Sequence, residues 1–522
     1  MEALTGSFRG RLSLAGEGDA LREAGMEGRF REVSFNGRNV AEALTARAEA
    51  GVTLSPEGLE GHLDLHLEGG AVYLEPGFTV GGIAPGFTLE PKGDGITLRV
   101  EGGWQHPRQR LELRRLQLDD ASMGRIDARL DLTLGPVPAL HHLELESGRL
   151  ALLPLYRNYL QPLLLGTPFG DLEVAGDAGV RLRWHDGRLR VLDLSPSAVH
   201  LQDRAGRFAL AGLEGEAHLA GSGTAPHSRL RWEGFSLYRL DFGAAQLPFQ
   251  ALSGGLRLER PVRIPLFDGA LRLQSLKVEG LFTPAFALET DVLLEPLSLQ
   301  ELCHALGWPI FAGTLAGEVP GLRYAQGELT IAGPLIARAF DGRIEIRGLR
   351  IRGLFDPVPE LTADILFHDL DLKLLTGTFA FGEIEGRLDG AIRDLHLQAW
   401  EPVSFDAWFA TPEDYRGRRR ISQKAVENLT RIGGGMSVNP ISRELLGLFQ
   451  TFSYDRIGIR CRLRRGVCEM DGVMPAPKGY YILRHGLLPP WIDIIGYNRE
   501  VDWTLLVDRL RSIARGNGPV IR

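Results

Sequence analysis

Apolar and polar residues alternate with period two over most of the first 400 residues, in short runs ended by Gly, Pro or Asp. Leu111-Glu112-Leu113-Arg114, Ile126-Asp127-Ala128-Arg129-Leu130-Asp131-Leu132 and Val180-Arg181-Leu182-Arg183-Trp184 are examples. Successive side chains of a strand point to opposite faces, so each run predicts a strand with one apolar side. Turn signals every 8–12 residues or so mark an all-β body. The clearest run is Gly342–Gly353, where Ile344 and Ile346 face one way and Arg343, Glu345 and Arg347 the other. The phase slips at Arg347-Gly348 and resumes with Leu349 and Ile351 against Arg350 and Arg352. A bulge or turn at Gly348 keeps all four apolar residues on one face. Leu271, Leu273, a slip at Gln274-Ser275, then Leu276 and Val278 repeat the design.

That recurrence belongs to a longer one. Residues 267–317 align without a gap on 340–390, and 17 of the 51 pairs are identical. Phe267-Asp268-Gly269 falls on Phe340-Asp341-Gly342, and Gly313 and Gly317 fall on Gly386 and Gly390. A period that long is one supersecondary unit used twice, and such units stack into elongated arrays that span or bind along their length. Helical spacing interrupts the strands at Leu297–Trp308 (Leu299, Leu302, Cys303, Leu306) and, more weakly, at Leu152–Leu165. Beyond about residue 410 the character changes. Helices are predicted over Ile421–Ile432, ended by Gly433-Gly434-Gly435, over Pro440–Phe452 and over Val501–Ala514. Strands are predicted near 454–463, 467–474, 479–485 and 491–497. The expected fold is therefore mainly β: an elongated, curved, open sheet with short helices and a small α+β C-terminal cap. Its segments are 1–265 (strand-rich), 266–410 (the duplicated repeat) and 411–522 (the cap).

Composition narrows the functions. With 44% apolar and 24% charged residues, the chain is an ordinary folded one. The net charge of −7 is uneven: from Thr411 onward 19 Lys and Arg stand against 11 Asp and Glu, a surplus of +8, and the remainder carries 40 against 55, or −15. A basic end suits anionic headgroups, although an ordinary solvated face has the same composition. No stretch reaches the roughly 18 uninterrupted apolar residues of a membrane span, and no leader pattern is visible at the start. The opening in strand-like sequence suggests the C-terminal part of something longer.

Candidate chemistry is sparse. No His-Glu-x-x-His, Cys-x-x-Cys or Gly-x-Ser-x-Gly pattern occurs, and the Gly433–Gly435 run lacks the Lys-Ser/Thr of a phosphate loop. No catalytic residue, metal site or cofactor is expected, and nothing points to nucleic acid. His141-His142 has no third ligand in sequence and reads as a surface pair. Cys461 and Cys468 flank a hairpin tip, and an even-numbered loop sets them opposite each other, as either a disulfide or two buried thiols. A disulfide implies an oxidising compartment such as the periplasm. Cys303 reads as a small buried apolar residue. Arg416, Arg418, Arg419 and Arg420 either bind phosphate headgroups or form a solvated helix entry.

From Leu266 onward the wording resembles the C-terminal region of AsmA-like proteins of Gram-negative envelopes, the group that includes TamB and the YdbH-like proteins. The resemblance covers about 266–513. It rests on Leu266-Phe267-Asp268-Gly269, Phe381–Gly390, Trp400–Ala407, Arg419–Val426 and Val501-Asp502-Trp503. It implies a gutter-like sheet with an apolar interior, anchored in the inner membrane through a segment absent here. Such a protein crosses the periplasm and carries phospholipid toward the outer membrane. An outer-membrane lipoprotein or other envelope protein is the candidate partner. Leu271, Leu273, Leu276, Val278, Ile344, Ile346, Leu349 and Ile351 are then the groove-lining candidates. Two rival expectations are a scaffold that recruits a partner strand at its sheet edge and, more remotely, a carbohydrate enzyme with a carboxylate pair.

Overall fold

The computed structural model describes residues 4–17, 20–75, 85–106, 108–134, 139–281, 283, 285–307, 310, 313–433, 450–487 and 489–514. Antiparallel strands dominate, with few short helices. The chain divides into two units, residues 1–260 with 277–283, and residues 261–276 with 284–522. The duplicated repeat and the cap both contribute to the second unit, which one core holds together.

The first unit is a meander. Leu4–Glu17, Ala20–Phe35, Val40–Ser55, Gly58–Leu74, Ile96–Gln105, Arg110–Asp120, Gly124–Thr133 and Ala139–Ser147 pair antiparallel in sequence order. Leu172–His185, Arg188–Asp203 and Phe208–Ala220 continue the series. Short connections make this order cheap, since each strand meets a neighbour in sequence. The hairpin between Leu172–His185 and Arg188–Asp203 turns through Asp186 (φ 48°) and Gly187 (φ 71°), the two left-handed residues a tight two-residue turn requires. Elsewhere Glu32, Ala43 and Ala198 take positive φ where the pairing register shifts. These are bulges, which bend a strand and restore its inward phase. A helical interruption, Leu152–Leu164, contains a π-helical turn at Tyr156–Leu160. Its Tyr156 hydroxyl accepts from Leu172 N (2.9 Å) and donates to Phe169 O (2.8 Å).

The second unit carries the repeat as structure. Strands Gly269–Glu279 and Ala287–Ser298, then helix Leu299–Leu306, correspond to Gly342–Arg352, Glu360–Asp371 and helix Leu372–Thr378. Phe267 and Phe340 share φ near 52°, and Gly313 and Gly386 share φ near 150°. Both helices are capped by a short polar residue, Ser298 and Asp371, whose oxygen accepts from the first-turn backbone. Even the bulges correspond. Register shifts lie between Thr290 and Val292 in one copy and Ala363 and Ile365 in the other. In the first, Asp291 accepts from Gly321 N at 2.9 Å; in the second, Asp364 accepts from Asp394 N at 2.9 Å. A carboxylate thus pins each bulge.

Several expectations need correction. The helix expected over Leu297–Trp308 is shorter, because Leu297 still pairs with Leu315. Helix Leu372–Thr378 went unrecognised, although the repeat alignment places it. Ile421 belongs to strand Arg420–Ser422, and the helix begins at Gln423. The helix expected over Pro440–Phe452 lies outside the described residues except for its end, where Phe452 belongs to strand Thr451–Arg464 and is 1% exposed. In the closing helix, Trp503–Ala514, Leu506 is buried but Leu510 is 41% exposed. The core of this unit gathers Ile421, Ala425, Val426, Phe452, Tyr454, Tyr480, Ile482, Leu483 and Ile494.

Asp291→Ala and Asp364→Ala are each expected to lower the unfolding free energy of the second unit by about 1 kcal/mol, read as a lower urea midpoint at unchanged slope, since each removes a charge-assisted hydrogen bond at a solvated site. The Gly321 N–H, then the Ser275 hydroxyl, hold the Asp291 carboxyl below its usual range. A lowered pKa contributes stability above the ordinary carboxylate range and loses it as pH falls. The gap between wild type and Asp291→Ala should therefore close in acid.

Candidate functional site

Strand pairing converts the alternation into rows. Residues directly opposite each other project to the same face, so a row of partners runs across the sheet at about 4.8 Å per strand. In the first unit one row reads Leu12, Met26, Ala50, Leu63, Val100, Leu116, Ala128, Leu145, Leu182, Leu192, Leu219, Ala251, Leu256 and Val278. Every member is apolar, and the thirteen steps give a path of roughly 60 Å. A second row beside it reads Leu14, Ala24, Val52, Gly61, Gly102, Leu113, Leu130, Leu143, Trp184 and Leu189.

The start of this face is open. Leu12 is 69% exposed and Leu14 75%, and Leu59 stands more than a third exposed. A concavity of about 570 Å³ lies there, lined by Leu12, Leu14, Met26, Val52, Leu63, Val100 and Leu113 among others. Contiguous exposed apolar surface of this kind makes the concavity a candidate binding site. Farther along, Asp120 lies on the apolar face opposite Ile96, buried and fully engaged. Its Oδ1 accepts from Ser122 N and Oγ, and its Oδ2 accepts from the Tyr159 hydroxyl at 3.0 Å. Burial first, and the Asp120 charge second, push the Tyr159 phenol well above its ordinary pKa. The helical interruption is thereby tied to the sheet at that point.

The opposite face is a lattice of ion pairs, among them Arg99 with Asp64, Arg115 with Glu101, and Arg181 with Glu146. Exposed pairs of this kind add little stability. Their consequence is orientation, because a face so charged stays in water.

The eight sequence candidates fall as the alternation places them. Ile344, Ile346, Leu349 and Ile351 are half-buried between exposed Arg343, Arg347, Arg350 and Arg352. The slip occurs at Gly348 (φ 59°), where the register shifts. Ile346 joins the row Leu335, Ile346, Ile365, Ile392, Ala407, Cys461 and Met470. Ile344 lies in the adjacent row with Phe367, Gly390, Phe409 and Ile459. Leu271 and Leu273 pair with Ile264 and Val262; Leu276 is half-buried; Val278 ends the long row of the first unit. The first-unit residues that line the open concavity were missed as a site. Their signal is the same alternation, in sequence treated only as a continuation of the sheet.

Glu345, buried on the charged face, is held below its usual range chiefly by the Arg347 hydrogen bond, with Arg343 and His368 adding to the effect. Of the arginine cluster, Arg419 is committed internally: its Nη1 donates to Asp455 O (2.6 Å) and Oδ1 (3.1 Å), and its Nη2 to Tyr415 O. Arg416, Arg418 and Arg420 are exposed. His142 meets His185 across the strand pair, Nδ1 to Nδ1 at 3.3 Å, and His141 bonds Thr133 on the other face. Among the described residues no three His, Cys, Asp or Glu side chains are grouped to hold a metal ion. No helix among them is long and apolar enough to cross a membrane.

Cys461 and Cys468 are joined as a disulfide, with Cα atoms 5.5 Å apart. They are not directly opposite, as the loop count suggested. The turn is the two-residue Arg465-Gly466, which sets Cys461 against Met470 and Cys468 against Leu463. The bridge is therefore diagonal. Cys303 is a fully buried thiol outside the bridge. No protein-family profile, curated protein or solved structure matches this chain significantly.

Thiol titration of denatured, unreduced protein is expected to find one reactive group, Cys303, and titration after reduction three; three thiols without reductant would contradict the bridge.

Proposed function

We propose that this chain is a non-enzymatic conduit for phospholipid between the inner and outer membranes of a Gram-negative envelope, working in the periplasm. The observation that carries the reading is the unbroken apolar row of the first unit, open to solvent where it begins. An acyl chain drawn through water forfeits about 0.8 kcal/mol per CH₂. A continuous apolar path removes most of that barrier, and it needs no reacting group. The similarity of residues 266–513 to the AsmA-like C-terminal region and the disulfide support the same reading.

A scaffolding role is the second reading, and one feature favours it. Among the described residues, strand Leu4–Glu17 pairs only with Ala20–Phe35, which leaves its other edge able to accept an added strand from a partner segment.

A photo-crosslinking residue at Met26 or Ile346 in Gram-negative cells is expected to capture phospholipid, identified by mass spectrometry. The same residue at outward-facing Glu27 or Arg350 should capture none. Leu63→Asp, which sets a charge in the row, should abolish transport and leave circular dichroism unchanged. Absence of lipid at both inward positions in folded protein would hand the lead to the scaffold.

A further inference from the structure

The most exposed large apolar side chain among the described residues lies outside the trough. Leu487 is 97% exposed, and Trp491 four residues later is 61% exposed. The segment that holds them is fixed at both ends. On one side Gly486 N donates to Ser453 O (3.0 Å) and His485 N to Asp493 Oδ1 (2.9 Å). On the other, Ile492 and Ile494 are buried in the core. Trp491 Nε1 donates to Leu487 O at 3.5 Å. Nothing in this anchoring needs Leu487 or Trp491 to face water, and both are costly there.

Beside this tip stands the basic segment. Ser453, which receives Gly486, is also the strand partner of Arg420. Arg419 fastens the same segment to Asp455, and Arg416, Arg418 and Arg420 of that segment are exposed. The nearby acids are largely engaged: Glu413 with Arg456, Asp455 with Arg419, Asp493 with His485. An apolar and aromatic tip next to a basic segment has the chemistry of a bilayer interface, where an indole sits at headgroup depth and cations meet phosphate.

We propose that this tip docks on an anionic lipid bilayer, inserting Leu487 and Trp491 among the headgroups while Arg416, Arg418 and Arg420 contact the phosphates. The docking does not rest on the trough, since it uses none of its residues.

The test is flotation of the whole chain with phosphatidylcholine vesicles, with and without phosphatidylglycerol, together with sedimentation of the protein alone. Binding is expected only with the anionic lipid, weakened about tenfold or more by Leu487→Asp or Trp491→Ala. An Arg416→Glu/Arg418→Glu double variant should weaken it further at low salt than at high salt. Equal binding by wild type and variants, or none by wild type, overturns the proposal. So does a wild-type dimer that Leu487→Asp makes monomeric without any vesicle binding, which would assign the tip to a second copy of the chain. Vesicle binding retained where no lipid crosslinks at Met26 would refute the conduit alone.

Discussion

Register is the constraint on which this structure depends. A strand has a side-chain period of two, so a slip of one residue moves its whole apolar set to the other face. Fourteen strands keep one row apolar from Leu12 to Val278, which requires every intervening pairing to hold phase. Bulges are how the chain corrects its phase where the alternation breaks. Gly348 does so with a glycine at φ 59°, and Ala43 and Ala198 do so at the cost of a left-handed non-glycine residue. The duplicated repeat copies its bulges along with its strands. Asp291 and Asp364 each supply an acceptor to a backbone N–H that the ladder leaves over, which turns a local fault into a fixed feature.

The alternation was readable in single strands, including both phase slips, because that information is local. Strand Gly342–Arg352 alternates half-buried and exposed residues on either side of Gly348 as its sequence indicates. What could not be read was which residues meet across strands. The diagonal placement of Cys461 and Cys468 shows why: the loop length fixes them only once the turn is known to be Arg465-Gly466. The same limit hid the concavity at Leu12, Leu14 and Val100, whose members are far apart in sequence. Helix Leu372–Thr378 was missed for a different reason. Its seven residues hold too few turns to show a stripe, and the Asp371 cap that starts it resembles a strand-ending acid. Phe452 ends the span predicted as a helix over Pro440–Phe452, yet it opens a strand whose pairing with Ile421 is non-local.

Each unit meets water differently with its own apolar face. In the second unit, helix Gln423–Gly433 and strands such as Gly479–His485 cover it, and Ile421, Leu483 and Ile494 have no exposure. In the first strands of the first unit, nothing among the described residues covers Leu12 or Leu14. A closed sandwich would bury these residues beneath a second sheet, and its outer faces would carry the charges. Here the charges occupy one face of a single sheet, and the other face stays open at its start.

An exposed apolar face has a cost, since each uncovered square ångström forgoes about 25 cal/mol of burial. Selection for stability alone would fill the concavity with larger side chains. Instead small residues line parts of the rows: Ala24 and Gly61 in one, and Ala50 in the other. Glycines within strands add backbone entropy to the cost of folding. A floor that is low in the middle and rimmed by Leu12, Leu14 and Leu59 makes physical sense if something apolar occupies it. The same reasoning applies at the far smaller scale of Leu487, which follows the anchored Gly486 and stands almost wholly in water. Under the two proposals above, both features trade stability for contact with a medium other than water, and in each the polar surroundings mark which side that medium must approach from.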